Sequence, residues 1–166
     1  MAAGATYEPI QTYTLGSAAA SIDFTTIASS WTDLRLVFTG RGASGSIIKL
    51  QFNGDTAGNY SRIRVYGNGT SAASSRSTSI TSIYWGNGIT TAGVWGFYTA
   101  DIFSYGGSTY KTALLTMSED ENGSGLTESE VGLWSSTSAI TTIKIAATTG
   151  TFDAGSTATL YGIKAA

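Results

Sequence analysis

Period-two alternation is the dominant pattern along the chain. In Asp33 to Arg41, Leu34, Leu36 and Phe38 fall on one face and Arg35, Val37 and Thr39 on the other, which predicts a half-buried strand. Ser46 to Asn53 repeats the pattern, with Ile48, Leu50 and Phe52 against Lys49 and Gln51. These two segments read as a hairpin across Gly42-Ala43-Ser44-Gly45. Further strands are predicted at Tyr13 to Leu15, Ser21 to Phe24, Tyr60 to Tyr66, Val94 to Tyr105, Thr109 to Ser118, Val131 to Ser135, Thr141 to Ala147 and Ser156 to Ile163. Turn signals separate them: Asn53-Gly54-Asp55, Gly67-Asn68-Gly69, Gly86-Asn87-Gly88, Gly106-Gly107, Asn122-Gly123 and Gly150. No window keeps apolar residues at helical spacing beyond about one turn. Thr70 to Ser82, almost all Ser, Thr and Ala, reads as a long exposed loop.

About ten short strands without crossover helices imply antiparallel pairing in a sandwich or barrel. The expected fold is all-β, a jelly-roll-like antiparallel β-sandwich. Its inner faces would be filled by Phe24, Leu34, Leu36, Phe38, Ile48, Leu50, Phe52, Ile63, Val65, Ile102, Leu114, Ile143, Ile145 and Leu160. Residues 12 to 166 form one domain in this reading, and Met1 to Gln11 an N-terminal extended arm that reaches a neighbour.

Composition narrows the chemistry. The 166 residues include no Cys and no His, which excludes disulfides, thiolate or imidazole metal sites, cysteine nucleophiles and Ser-His-Asp triads. Charged residues are only 12%, about half the usual share of roughly 25%. The polar surface comes instead from 22 Ser and 26 Thr, which with 21 Gly make 69 of 166 residues and favour strands and turns. A net charge of −2 argues against a nucleic-acid partner, whose phosphates call for clustered Lys and Arg. No run of apolar residues is long enough to predict a membrane-spanning helix, and Met1 to Ala20 shows no signal-peptide pattern.

Three groups of residues invite a chemical reading. Asp120, Asn122 and Ser124 with Gly125 copy the first half of a calcium loop, but Val131 stands where the closing Glu belongs, so a solvated acidic hairpin loop is expected and no metal. Glu128 and Glu130 read as part of the same acidic region, and no carboxylate pair is set out for glycoside hydrolysis. Aromatics are the stronger lead: Tyr84-Trp85 and Trp95-Gly96-Phe97-Tyr98 concentrate rings suited to stacking on sugars or to a protein interface. In Tyr60 to Tyr66, alternation sends Ile63 and Val65 inward and Tyr60, Arg62, Arg64 and Tyr66 outward. The candidate interface residues are therefore Tyr60, Arg62, Arg64, Tyr66, Tyr84, Trp85 and Trp95, with no catalytic residue and no cofactor.

Several stretches resemble a family of small virion structural proteins of tailed bacteriophages. They are Ile22-Asp23-Phe24 with Asp33-Leu34-Arg35-Leu36, then Phe52-Asn53-Gly54-Asp55 leading to Asn59-Tyr60-Ser61 and Gly67-Asn68-Gly69. Asp101-Ile102 with Tyr105 and Lys111-Thr112 follow, then Gly132-Leu133-Trp134 with Ala139-Ile140, and Phe152, Gly155-Ser156 and Leu160-Tyr161-Gly162-Ile163-Lys164. The resemblance runs from about Ile10 to Lys164. It implies a non-enzymatic jelly-roll subunit of a virion, assembled in the host bacterial cytoplasm. A head decoration or cement protein is expected, a homotrimer bound to the major capsid protein or other virion proteins. A tail-associated receptor- or glycan-binding module is the alternative.

Overall fold

The structure, a computed structural model, describes residues 6–89 and 93–164. Among them the chain forms twelve strands: β1 (Tyr7–Thr14), β2 (Ser21–Phe24), β3 (Asp33–Gly40), β4 (Ser46–Phe52), β5 (Tyr60–Gly67), β6 (Ala72–Ile80), β7 (Ile83–Ile89), β8 (Gly96–Phe103), β9 (Lys111–Asp120), β10 (Gly125–Trp134), β11 (Ile143–Ala147) and β12 (Thr157–Ile163). An eight-stranded sheet has the order β1-β12-β3-β8-β9-β10-β5-β6, and a four-stranded sheet the order β2-β11-β4-β7. All pairings are antiparallel.

Eight of these strands make a jelly roll. The last strand, β12, lies between β1 and β3, and β11 lies between β2 and β4, so the chain's end is rolled into its beginning in both sheets. Two hairpins are inserted into this frame. One, β5–β6, interrupts the connection from β4 to β7, and the other, β9–β10, interrupts that from β8 to β11. Because β9 bonds to β8 and β10 bonds to β5, the two insertions fuse into a four-stranded extension of one sheet.

Alternation explains why two layers form. β3 turns Leu34, Leu36 and Phe38 inward and β4 turns Ile48, Leu50 and Phe52 inward, all fully buried. Stacking them in opposite sheets buries both apolar faces in one core. They are therefore not the expected hairpin: β3 bonds to β12 and β8, whereas β4 bonds to β11 and β7. Rings fill the middle, with Phe38 at 4.9 Å from Phe152 and Trp85 at 5.7 Å from Tyr98. Each large side chain so buried contributes about 1.5–3 kcal/mol, enough to offset ordering entropy without a disulfide.

Other expectations are corrected. Thr70 to Ser82 is not a loop, since Ala72–Ile80 pairs with β5 as the sheet's outermost strand. Small exposed side chains carry no alternation there, because an edge strand overhanging the core has nothing to bury. Gly86-Asn87-Gly88 does not turn but runs within β7, paired with β4 through a register shift between Ser46 and Ile48. β10 starts at Gly125, well before the expected Val131. The N-terminal arm is contradicted over Tyr7 to Gln11, which form the first half of β1 and pair with β12 of the same chain. Its ladder slips between Pro9 and Gln11, as befits a proline on an edge strand. Residues 1–5 lie outside the described residues. By contrast, Asn53-Gly54 makes the expected tight turn, both residues having positive φ (52° and 66°), with the Asp55 amide donating to the Phe52 carbonyl at 2.9 Å.

The extension is held to the small sheet through β7. Trp85 reaches inward and donates its indole N–H to the Thr116 carbonyl on β9 at 3.1 Å. Beside it Ile83 packs on Gly132 of β10, where an added Cβ would lie 2.6 Å from Ile83 Cδ1. Ile83 is fully buried and β-branched, so it has no easy retreat. Gly132→Ala is expected to lose about 1–3 kcal/mol in denaturant unfolding, as overpacking does, and combining it with Ile83→Ala should recover part of that loss. Additive losses in the double variant would contradict the close approach.

Candidate interaction face

The face predicted for β5 is inverted. Tyr60, at the start of the strand, is 1% exposed. Its hydroxyl accepts from the Phe52 amide at 3.0 Å, and its ring lies 6.3 Å from Trp134 in a stacked arrangement. Burial pushes the Tyr60 phenol up to about 12. Since alternate residues share a face, fixing Tyr60 inside carries Arg62, Arg64 and Tyr66 to the inner side as well. Ile63 and Val65, expected in the core, are 45% and 56% exposed, and so is Leu114 of β9, at 40%.

The inward arginines are matched from β10. Arg62 donates through Nη1 to Glu130 Oε2 at 2.9 Å and to the Tyr84 carbonyl at 2.9 Å, with its guanidinium 5.2 Å above the Tyr84 ring. Arg64 bonds both oxygens of Glu128, at 3.3 and 3.2 Å, and stacks on Tyr66 at 4.6 Å. Both glutamates are buried, not part of an acidic loop. The loop itself is the expected acidic hairpin: the Glu121 amide bonds the Ser124 carbonyl, Asp120 accepts from the Asn122 amide, and Ser124 donates to Glu121. The matching Arg-x-Arg and Glu-x-Glu spacings were the sequence signal for the inner pairing.

Of the seven candidate interface residues, five are thus directed inward or held in contacts. Tyr60 and Trp85 are core residues, Arg62 and Arg64 are ion-paired, and Tyr66 is partly buried against the core. Tyr84 is half-buried under Arg62. Trp95 alone stands well out, 44% exposed.

What the inversion leaves outside is a broad apolar and hydroxyl face. Leu114 is paired with Val131, and Val131 with Ile63, forming a ladder across β9, β10 and β5. Val131 is 47% exposed. The adjacent row runs Val37, Thr99, Thr116, Ser129, Val65 and Ser74 across six strands, with Thr99 and Thr116 hydroxyls 2.6 Å apart. Small side chains there leave an open trough of about 700 Å³ between β9 and β6. The charges near the ladder are Asp101, paired with Arg35 at 3.5 Å, and Arg76 on β6. The outer face of the small sheet differs, carrying Lys49, Gln51 and a Lys144–Asp23 pair at 3.4 Å. The outer face of the small sheet is charged, whereas that of the eight-stranded sheet is apolar and hydroxyl-bearing.

No family model, curated protein or solved structure matches the chain. The fold and this face define a jelly-roll β-sandwich with an extended, weakly charged sheet surface.

Glu130 supplies a test of the buried pairing. Burial pushes its carboxyl up to about 8, opposed by Arg62 and reinforced by Glu128. Folded protein therefore holds a proton on this group that the unfolded chain releases, and stability is lost as pH rises from about 4.5 towards 8. Denaturation of wild type across that window should show a falling component absent from Glu130→Gln. Parallel profiles for the two proteins would place Glu130 in a different environment.

Proposed function

We propose that the chain is a structural protein of a tailed-phage particle, a head-decoration subunit that fastens neighbouring shell proteins and catalyses no reaction. The observation that carries this reading is the exposed Leu114–Val131–Ile63 ladder across β9, β10 and β5, in the extension of the eight-stranded sheet. Each of the three side chains is about half exposed, so covering one contributes about 1 kcal/mol. A single copy then docks weakly, and many copies on a lattice act together. The resemblance of Ile10 to Lys164 to phage virion proteins supplies the setting, and its implied homotrimer is the expected assembly. A non-catalytic role agrees with the burial of Glu128 and Glu130, each closed off by an arginine.

Particles assembled without this chain should take up purified wild-type protein over the head surface in many copies. Val131→Asp, which places a charge in the ladder, should cost less than about 1 kcal/mol of folding stability yet abolish uptake. Uptake only at the tail, or undiminished uptake of the variant, would reject the reading. Sedimentation of the free protein should give trimers; monomer alone would count against the assembly.

A further inference from the structure

The ladder occupies one part of the outer face, and a separate feature lies at its far end. Phe97, Ser118, Thr127 and Gly67 form a row across β8, β9, β10 and β5, four residues further along each of β9, β10 and β5 than the ladder. That displacement is about 13 Å at 3.3 Å per residue, and the row is about 14 Å long at the spacing of neighbouring strands. It floors a second open trough of about 660 Å³, bounded by Trp95 at one end and by Asn68 and the Asp120–Gly125 hairpin.

Two exposed rings meet there, Trp95 at 44% and Phe97 at 46%. Trp95 is held in place from behind. The Arg41 guanidinium lies 4.9 Å from its centroid, Arg41 is paired with Asp153 at 3.3 Å, and Gly155 passes close enough that a Cβ would sit 3.6 Å from the ring. A ring fixed this way loses little entropy when a ligand stacks on it. The opposite wall is polar, with the Asn68 amide, the Ser124 hydroxyl and the Asp120 carboxylate. The Asp120 side chain is already oriented by its bond to the Asn122 amide at 2.9 Å.

We propose that this trough binds an uncharged oligosaccharide. A pyranose ring has an apolar C–H face, which suits Trp95 and Phe97, and a belt of hydroxyls, which suits the amide, hydroxyl and carboxylate groups opposite. Ser118, Thr127 and Gly67 keep the floor low enough for a flat ring. The walls carry carboxylates, and Arg41, the one cation near the trough among the described residues, is paired with Asp153, so anionic polymers are disfavoured. The site is distinct from the ladder, and binding here does not depend on the decoration role.

The test is saturation-transfer NMR and calorimetry on the full chain with maltohexaose, cellohexaose, chitohexaose and sialyllactose. At least one neutral hexaose should bind saturably, with transfer to its ring C–H protons, and sialyllactose should not. Trp95→Ala should raise Kd about tenfold or more, the scale of losing one stacked ring, with the melting curve unchanged. Asp120→Asn, a smaller change, should also weaken binding. Val131→Asp should bind the sugar as wild type does, which separates this site from the docking ladder. No saturable binding of any neutral hexaose, equal binding by Trp95→Ala, or preference for sialyllactose would overturn the proposal.

Discussion

Pairing of β10 with β5 joins two hairpins that lie far apart in the chain, and it does so across a strip of four buried or nearly buried ionisable side chains. Arg62 and Arg64 come from the insertion between β4 and β7, Glu128 and Glu130 from the insertion between β8 and β11. Removing one partner would leave an uncompensated charge beside β7, a loss of about 3–5 kcal/mol for a buried pair. Replacing both by apolar residues need not destabilise at all. The contribution of the charges is therefore best understood as register: a one-residue slip would break both ion pairs and move Ile63 and Val65 against the Tyr84 carbonyl that Arg62 now satisfies.

The outer face follows from that register. β10 has Leu126 and Trp134 buried near its ends, and their common parity carries Glu128, Glu130 and Gly132 inward. β5 is tied in the same way by Tyr60. With the inner positions committed, Val131, Ile63 and Val65 have only the solvent side left. The exposed apolar ladder is thus the consequence of a buried polar one.

The jelly-roll frame and its extension divide the work. In the frame, Phe38, Phe152, Tyr98 and Trp85 close a continuous aromatic core between sheets. In the extension the small sheet ends at β7, and beyond it β6 has no layer beneath, so its residues are exposed almost throughout. A broad sheet supported at one side offers docking area without enlarging the core. It also keeps the Trp95 end of the face apart from the Leu114–Val131–Ile63 ladder.

The all-β class, the two-layer arrangement and the inward faces of β2, β3, β4, β11 and β12 were legible in the sequence, because alternation at period two reports half-burial directly. So was the Asn53-Gly54 turn, whose positive φ values restrict the residue choice. β6 was not legible, since a strand that buries nothing carries no pattern. Nor was the face of β5: its alternation was clear, but Tyr60, Arg62 and Arg64 could occupy either side until Tyr60 met Phe52 and Glu130 met Arg62. A strand's sequence determines which residues share a face. Which face becomes interior depends on a hydrogen bond to a residue 8 positions away and on an ion pair with one 68 positions away, and only the tertiary structure brings those together.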